Sequence, residues 1–236
     1  MRFGFRFFCI ASLLSCAAYA QESPPPGEKA EVRLRLVSAH PEKNHVEPVV
    51  VWLESLAGTP TPSFDVQPRY TLLQKNRMFI PHLQVIPVGG VVQFPNADPF
   101  FHNVFSLFDG KRFDLGLYEA GSSKSVTFSR EGVSYIFCNI HPEMSAVVLT
   151  LSTPLYAIAD TKSVLLLRDV PPGDYRLHVW IEGVQQASLN RMSRPVHLAA
   201  HSLDLGELKI PDAQNGVVPH ADEYGRPYRP PSKTDY

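Results

Sequence analysis

The chain has 236 residues, 22 basic and 23 acidic, for a formal net charge of −1. That balance argues against a nucleic-acid partner or a charge-driven membrane surface. With 44% hydrophobic residues the chain can build a real core outside its Pro-rich ends, yet no apolar run is long enough for a membrane span.

Residues 1–20 read as a secretory signal. Arg2 and Arg6 form a basic start, Phe7 to Ala18 a short apolar core, and Ala18-Tyr19-Ala20 a small-x-small cleavage site before Gln21. The rival reading is a lipoprotein signal ending at Cys16, since Leu13-Leu14-Ser15-Cys16 loosely resembles a lipobox, although the Leu before Ser15 is atypical. Cleavage after Ala20 removes Arg2 and Arg6, leaving 20 basic residues against 23 acidic, a charge of −3. It also removes Cys9 and Cys16, so Cys138 is the one cysteine of the expected mature chain. A lone cysteine in an oxidising compartment is buried, reactive or bound to something.

Residues 21–29, with three successive prolines, read as a linker. Glu31 to Val37 alternates strictly and predicts a half-buried strand. Val49 to Leu53 predicts an inner strand, and Gly58 to Pro68, with three prolines, a loop. Tyr70 to Gln74, Phe79 to Ile86 (marked by Pro81) and Val91 to Phe94 predict further strands, with a turn at Pro87 to Gly90. His102 to Leu107 predicts a strand that begins on its histidine, and the glycine-bearing stretch from Phe108 to Ser123 an excursion over one end of the sheet. Ser125 to Ser129 and Val133 to Phe137 are expected to pair across Arg130-Glu131-Gly132, and Ala146 to Leu151 follows as a strand. From Thr153 a second set of strands is expected at Leu155 to Ala159, Val164 to Leu167, Tyr175 to Trp180 and Pro195 to Ala199, closed by Leu203 to Ile210. The fold class is all-β: one β-sandwich over residues 30–152, a smaller one over 153–211, and a disordered tail over 212–236.

The chemistry concentrates in Cys138-Asn139-Ile140-His141-Pro142-Glu143-Met144, where a thiol, an imidazole and a thioether lie three residues apart on a turn between two strands. Soft sulfur plus imidazole suits copper, and two His, one Cys and a weak axial Met form an electron-transfer copper set. His102, in Pro95-Asn96-Ala97-Asp98-Pro99-Phe100-Phe101-His102-Asn103-Val104, is the candidate for the remaining histidine. Taken singly, each has a bland reading: His102 as a strand-edge histidine, His141 as a turn residue, Met144 as core filler. His82 is a structural histidine or lies near the site. The other histidines show no ligand spacing.

Pro95-Asn96 leading to His102-Asn103-Val104, with Cys138-x-x-His141-x-x-Met144, resembles the cupredoxins over residues 30–152, and the compact loop resembles amicyanin in particular. The periplasmic methylamine-utilisation and plastocyanin-like proteins are similar through Gln74-Lys75-Asn76, Phe79-Ile80-Pro81-His82 and Phe113 to Tyr118. Residues 154–210 resemble carboxypeptidase-regulatory-like β-sandwich modules through Val170-Pro171-Pro172-Gly173-Asp174-Tyr175. The resemblance implies a cupredoxin-like Greek-key sandwich in the periplasm holding one mononuclear type 1 (blue) copper, with His102, Cys138 and His141 equatorial and Met144 axial. It also implies a backbone N–H of Asn103 directed at the Cys138 sulfur, an Asn side chain tying the ligand loops together, and a Pro142 that supplies no N–H. The implied function is single-electron transfer, without enzymatic turnover, between transient redox partners of the cytochrome, dehydrogenase or oxidase class, with possible partner contact through the C-terminal module. The alternatives are copper handling, or a ligand-binding β-sandwich without redox turnover.

Overall fold

The computed structural model describes residues 30–38, 48–65, 67, 69–107, 110–159, 164–199, 202–211, 224 and 226. The expected signal and linker, and the expected tail apart from residues 224 and 226, lie outside the described residues. The chain opens with β1 (Ala30–Ser38) and β2 (Val49–Ser55). It continues through β3 (Tyr70–Thr71), β4 (Leu73–Lys75), β5 (Met78–Ile80), β6 (Leu83–Pro87), β7 (Gly90–Pro95) and β8 (His102–Ser106). Next come β9 (Phe113–Tyr118), β10 (Ser123–Phe128), β11 (Gly132–Phe137) and β12 (Ser145–Leu151). The last elements are β13 (Tyr156–Ala159), β14 (Val164–Val170), β15 (Gly173–Ile181), a short helix α1 (Gln186–Met192), β16 (Arg194–Leu198) and β17 (Leu203–Ile210). Among the described residues the protein is all-β but for that helix.

A five-stranded sheet in the order β6-β12-β11-β8-β9 faces a three-stranded sheet, β10-β7-β3, across an apolar core that includes Phe94, Phe128, Ile136, Val148, Cys138 and Met144. The remaining strands form β14-β1-β17 and β13-β2-β15-β16, while β4 and β5 make a separate hairpin. Alternation assigns the faces. Ala30, Val32, Leu34 and Leu36 of β1 are buried while Arg33 and Arg35 are exposed, as the period-2 pattern requires.

β12 behaves differently: six of its seven residues are buried. Ala146 and Val148 enter the core just described, whereas Val147, Leu149 and Leu151 enter a second core with β1, β2, β15 and α1. A strand buried on both faces reads as a continuous apolar run, and Ser145-Ala-Val-Val-Leu-Thr-Leu151 is one.

Two expectations differ from the observed pairing. The expected division at residue 152 groups β1 and β2 with the ligand loop, but β1 pairs with β14 and β17, and β2 with β13 and β15. The strands from β3 to β12 are thus inserted between the first two strands and the last five. Alternation reports which face of a strand is buried, not which strand lies beside it. Likewise β10 and β11 do not pair with each other: β10 lies against β7, and β11 lies between β12 and β8. Val126 and Phe128 of β10 share a core with Ile136 of β11 from opposite sheets, so the two strands face rather than flank one another. The excursion expected from Phe108 to Ser123 holds a strand, β9, paired with β8.

Candidate metal centre

Sheet order brings the ligand segments together. β11 is flanked by β12 and β8, and Phe137 at its end is the register partner of both Ser145 and Phe105. The chain leaves β11 at Cys138 and re-enters the sheet at Ser145. Between them the turn is closed by Met144 N–H donating to His141 O (2.9 Å) and Cys138 N–H donating to Met144 O (3.3 Å). His102, the first residue of β8, reaches the same end of the sheet.

There Cys138 Sγ lies 3.7 Å from His102 Nδ1 and 3.6 Å from His141 Nδ1. The three donor atoms all fall within 4.8 Å of one another, and the two imidazole rings stand edge-to-face with centroids 4.8 Å apart. This is the one such cluster among the described residues. His102 and Cys138 are fully buried, and His141 is partly exposed. Met144 is 1% exposed and packs in the same apolar core as Cys138.

The donor set fits a metal ion. With metal–nitrogen lengths of about 2.0 Å and a metal–sulfur length of about 2.3 Å, the two sulfur–nitrogen separations suit donors that share one ion. One thiolate and two imidazoles in a buried site next to a thioether match copper better than zinc, for which a thioether is a poor ligand.

The surroundings orient the donors. Asp98 Oδ2 lies 2.9 Å from His102 Nε2. An ionised carboxylate only accepts, so Nε2 carries the proton and Nδ1 turns its lone pair toward Cys138. Asp98 is itself held by the amides of Asn76 (2.6 Å to Oδ1) and Arg77 (3.0 Å to Oδ2). These two residues are the loop of the β4–β5 hairpin, and both have φ of 55°. A two-residue hairpin loop needs such angles, and here they aim consecutive N–H groups at one carboxylate. Burial pushes the Asp98 carboxyl up, but the Arg77 amide, His102 and the Asn76 amide outweigh it and hold the group below its ordinary value. Asn96 Oδ1 accepts the Asp98 N–H, and its Nδ2 donates to Phe100 O, fixing the turn.

Phe100 packs against both ligand rings, with centroids 5.2 Å from His102 and 5.6 Å from His141, and the Arg77 guanidinium lies 5.5 Å from the Phe100 centroid. Burial, then the neighbouring His102 ring and the Arg77 charge, lower the His141 pKa, so its imidazole stays neutral and available as a donor. For the Cys138 thiol burial is the largest influence and pushes its pKa up. The amides of Asn103, Ile140 and His141 act the other way.

The Asn103 amide and two loop amides thus point at the Cys138 sulfur. Pro142 is exposed and supplies none. The Asn103 side chain differs from expectation: its Nδ2 donates to Asp114 Oδ1 at 2.8 Å, tying β8 to β9 rather than one ligand loop to the other. His82 lies away from the cluster, 2.7 Å from Glu182 Oε2 through Nε2 and 3.1 Å from Ser145 O through Nδ1. His178 and His197 pair with Glu54 and Asp174, and His40, His45, His201 and His220 lie outside the described residues. Sequence reading missed Asp98 and Phe100 as site residues. The available signal was a carboxylate four positions before a candidate ligand within a Pro-bounded turn.

No family model matches the chain, and neither does any curated protein. Among solved structures it is similar to cupredoxins. One is the purple cupredoxin from Nitrosopumilus maritimus, at 25% identity over 36% of this chain and 100% of that one, TM-score 0.32. Another is the reduced Cu(I) form of a point mutant of amicyanin, at 17% identity over 42% of this chain and 91% of that one, TM-score 0.34. A third is the Cu-containing nitrite reductase from Thermus scotoductus SA-01, at 21% identity over 39% of this chain, TM-score 0.34. The chain spans a quarter of that enzyme's length, 25%. Among the described residues no helix is long and apolar enough to cross a membrane.

Proposed function

We propose that this is a periplasmic electron-transfer protein holding one mononuclear copper ion between Cys138, His102 and His141, with Met144 as a weak axial donor. The observation that carries the reading is one buried sulfur within 3.7 Å of two imidazole nitrogens that face it. Copper bound there supplies a one-electron couple. The chain's part is to hold the same donors for both oxidation states. Asp98 fixes the tautomer of His102, Phe100 wedges both rings, and the amides around Cys138 stabilise its thiolate. Full burial of His102, Cys138 and Met144 favours a resident ion over cargo awaiting release.

His141 is the partly exposed ligand and so the port. Around its loop Phe101 is 55% and Ile140 45% exposed, and Pro142 is exposed beside them. That surface suits the small, transient contact of a redox partner of the cytochrome, dehydrogenase or oxidase class. The test is the visible spectrum of the copper-loaded protein. An intense thiolate-to-copper band that bleaches on reduction is expected; a colourless copper-loaded protein would overturn the reading and favour metal handling.

Met144→Leu separates the axial role. The variant is expected to keep both copper and the band, because an axial thioether contributes little affinity, and to show a higher reduction potential because less electron donation stabilises Cu(II). Metal analysis with voltammetry reads both quantities. Loss of copper on this substitution would show Met144 to be a full ligand.

A further inference from the structure

On the far side of the five-stranded sheet from Cys138 lies a cleft of about 630 Å³, walled by that sheet and by β2, β15 and α1. It falls within the range of small-molecule sites, about 300–1,000 Å³.

Its wall has a consistent chemistry. Trp52 and His178 stack with centroids 5.0 Å apart and planes 12° from parallel, and His178 Nε2 lies 2.7 Å from Glu54 Oε2. Across the cleft stands Tyr135, whose hydroxyl receives the indole N–H of Trp180. Glu131 also lines the cleft, with one carboxylate oxygen accepting the Ser152 N–H at 2.8 Å. Three aromatic rings and two carboxylates are thus gathered in one recess, and no Lys or Arg is among the residues lining it. Arg176, the register partner of Glu54, stays outside the lining. Aromatic faces and carboxylates attract the same kind of ligand, and low-dielectric walls concentrate their field.

We propose that this cleft is a binding site for a small organic cation, an ammonium group carried on an apolar or aromatic body. The charged group sits toward Glu54 and Glu131 and the apolar body lies against Trp52 and Tyr135. Tyr135 lies three residues before Cys138 on β11, on the opposite face of the sheet, so the site is separate from the metal centre and does not depend on its occupancy.

The test is isothermal titration calorimetry of the full chain with benzyltrimethylammonium, neutral benzyl alcohol and anionic benzoate. Saturable 1:1 binding of the cation is expected, at least roughly tenfold tighter than the alcohol, with benzoate not binding. Glu54→Gln combined with Glu131→Gln should remove the preference for the cation. Gln186→Trp, at an exposed position of α1 on the cleft, should block binding while circular dichroism shows the fold retained. Cys138→Ser should bind the cation unchanged, which keeps the result independent of the copper reading. Equal binding of the three probes, no binding of the cation, or cation binding untouched by both sets of substitutions would overturn the proposal.

Discussion

Cys138→Ser is expected to abolish the intense visible band and nearly all copper binding. A serine hydroxyl is not deprotonated at neutral pH and is a hard donor, so the site loses both its anionic charge and its soft ligand at once. The loss of affinity should exceed the roughly 10–100-fold that removal of an outer hydrogen-bonding partner costs. The fold should survive, because Cys138 occupies a small fully buried position and serine is nearly isosteric. Copper analysis after dialysis, with circular dichroism as the control, gives the answer. A folded Ser variant that keeps stoichiometric copper and its colour would move the sulfur ligand elsewhere and sink the assignment.

The second large effect is expected at Asp98, which touches no metal. Asp98→Ala strips the acceptor from two hairpin amides, Asn76 and Arg77, and from His102 Nε2. Asn76 and Arg77 are exposed, so water can take the place of the lost acceptor, and a loss of roughly 1–3 kcal/mol is expected in the apoprotein. Copper affinity should fall about 10–100-fold as His102 loses its fixed tautomer and orientation. Asp98→Asn keeps one acceptor oxygen and should fall between the Ala variant and the parent in both respects. Urea melts of the metal-free protein and competitive copper titrations measure the two effects separately. Parental values for both in Asp98→Ala would show that the carboxylate neither anchors the hairpin nor orients the histidine.

Much of the candidate centre was legible because its parts are local. Cys138, His141 and Met144 lie on one turn, and the apolar runs on either side fixed that turn between strands. His102 was found through the strand it opens, and the structure places its Nδ1 against the Cys138 sulfur. Asp98 was not found, because its role rests on backbone amides of a hairpin more than twenty positions earlier, and nothing in the local pattern shows where those amides point. The strands themselves were read with good boundaries in β1, β2, β7, β8, β11 and β12, where alternation or a sustained apolar run is clear. Their partners were not. The pairing of β1 with β17 joins the two ends of the described chain, and no periodicity carries information across that separation. The helix α1 was missed for a different reason. It is seven residues long and buries only Leu189, too little for an amphipathic stripe to declare itself.

The insertion also sets an order of events during folding. β1 and β2 emerge first, yet among the described residues every strand they pair with begins at residue 156 or later, so they wait as unpaired edges while the intervening strands are made. The inserted strands have their partners close at hand in sequence, and loop closure is cheaper for them. They should therefore collapse first and present Val85, Val147, Leu149 and Leu151 as a bare apolar face. On that face the early and late strands meet and the second core closes. The turn that carries Cys138 and His141 is thus assembled before the second core closes, while the waiting edges are the segments most open to mispairing with a neighbouring molecule.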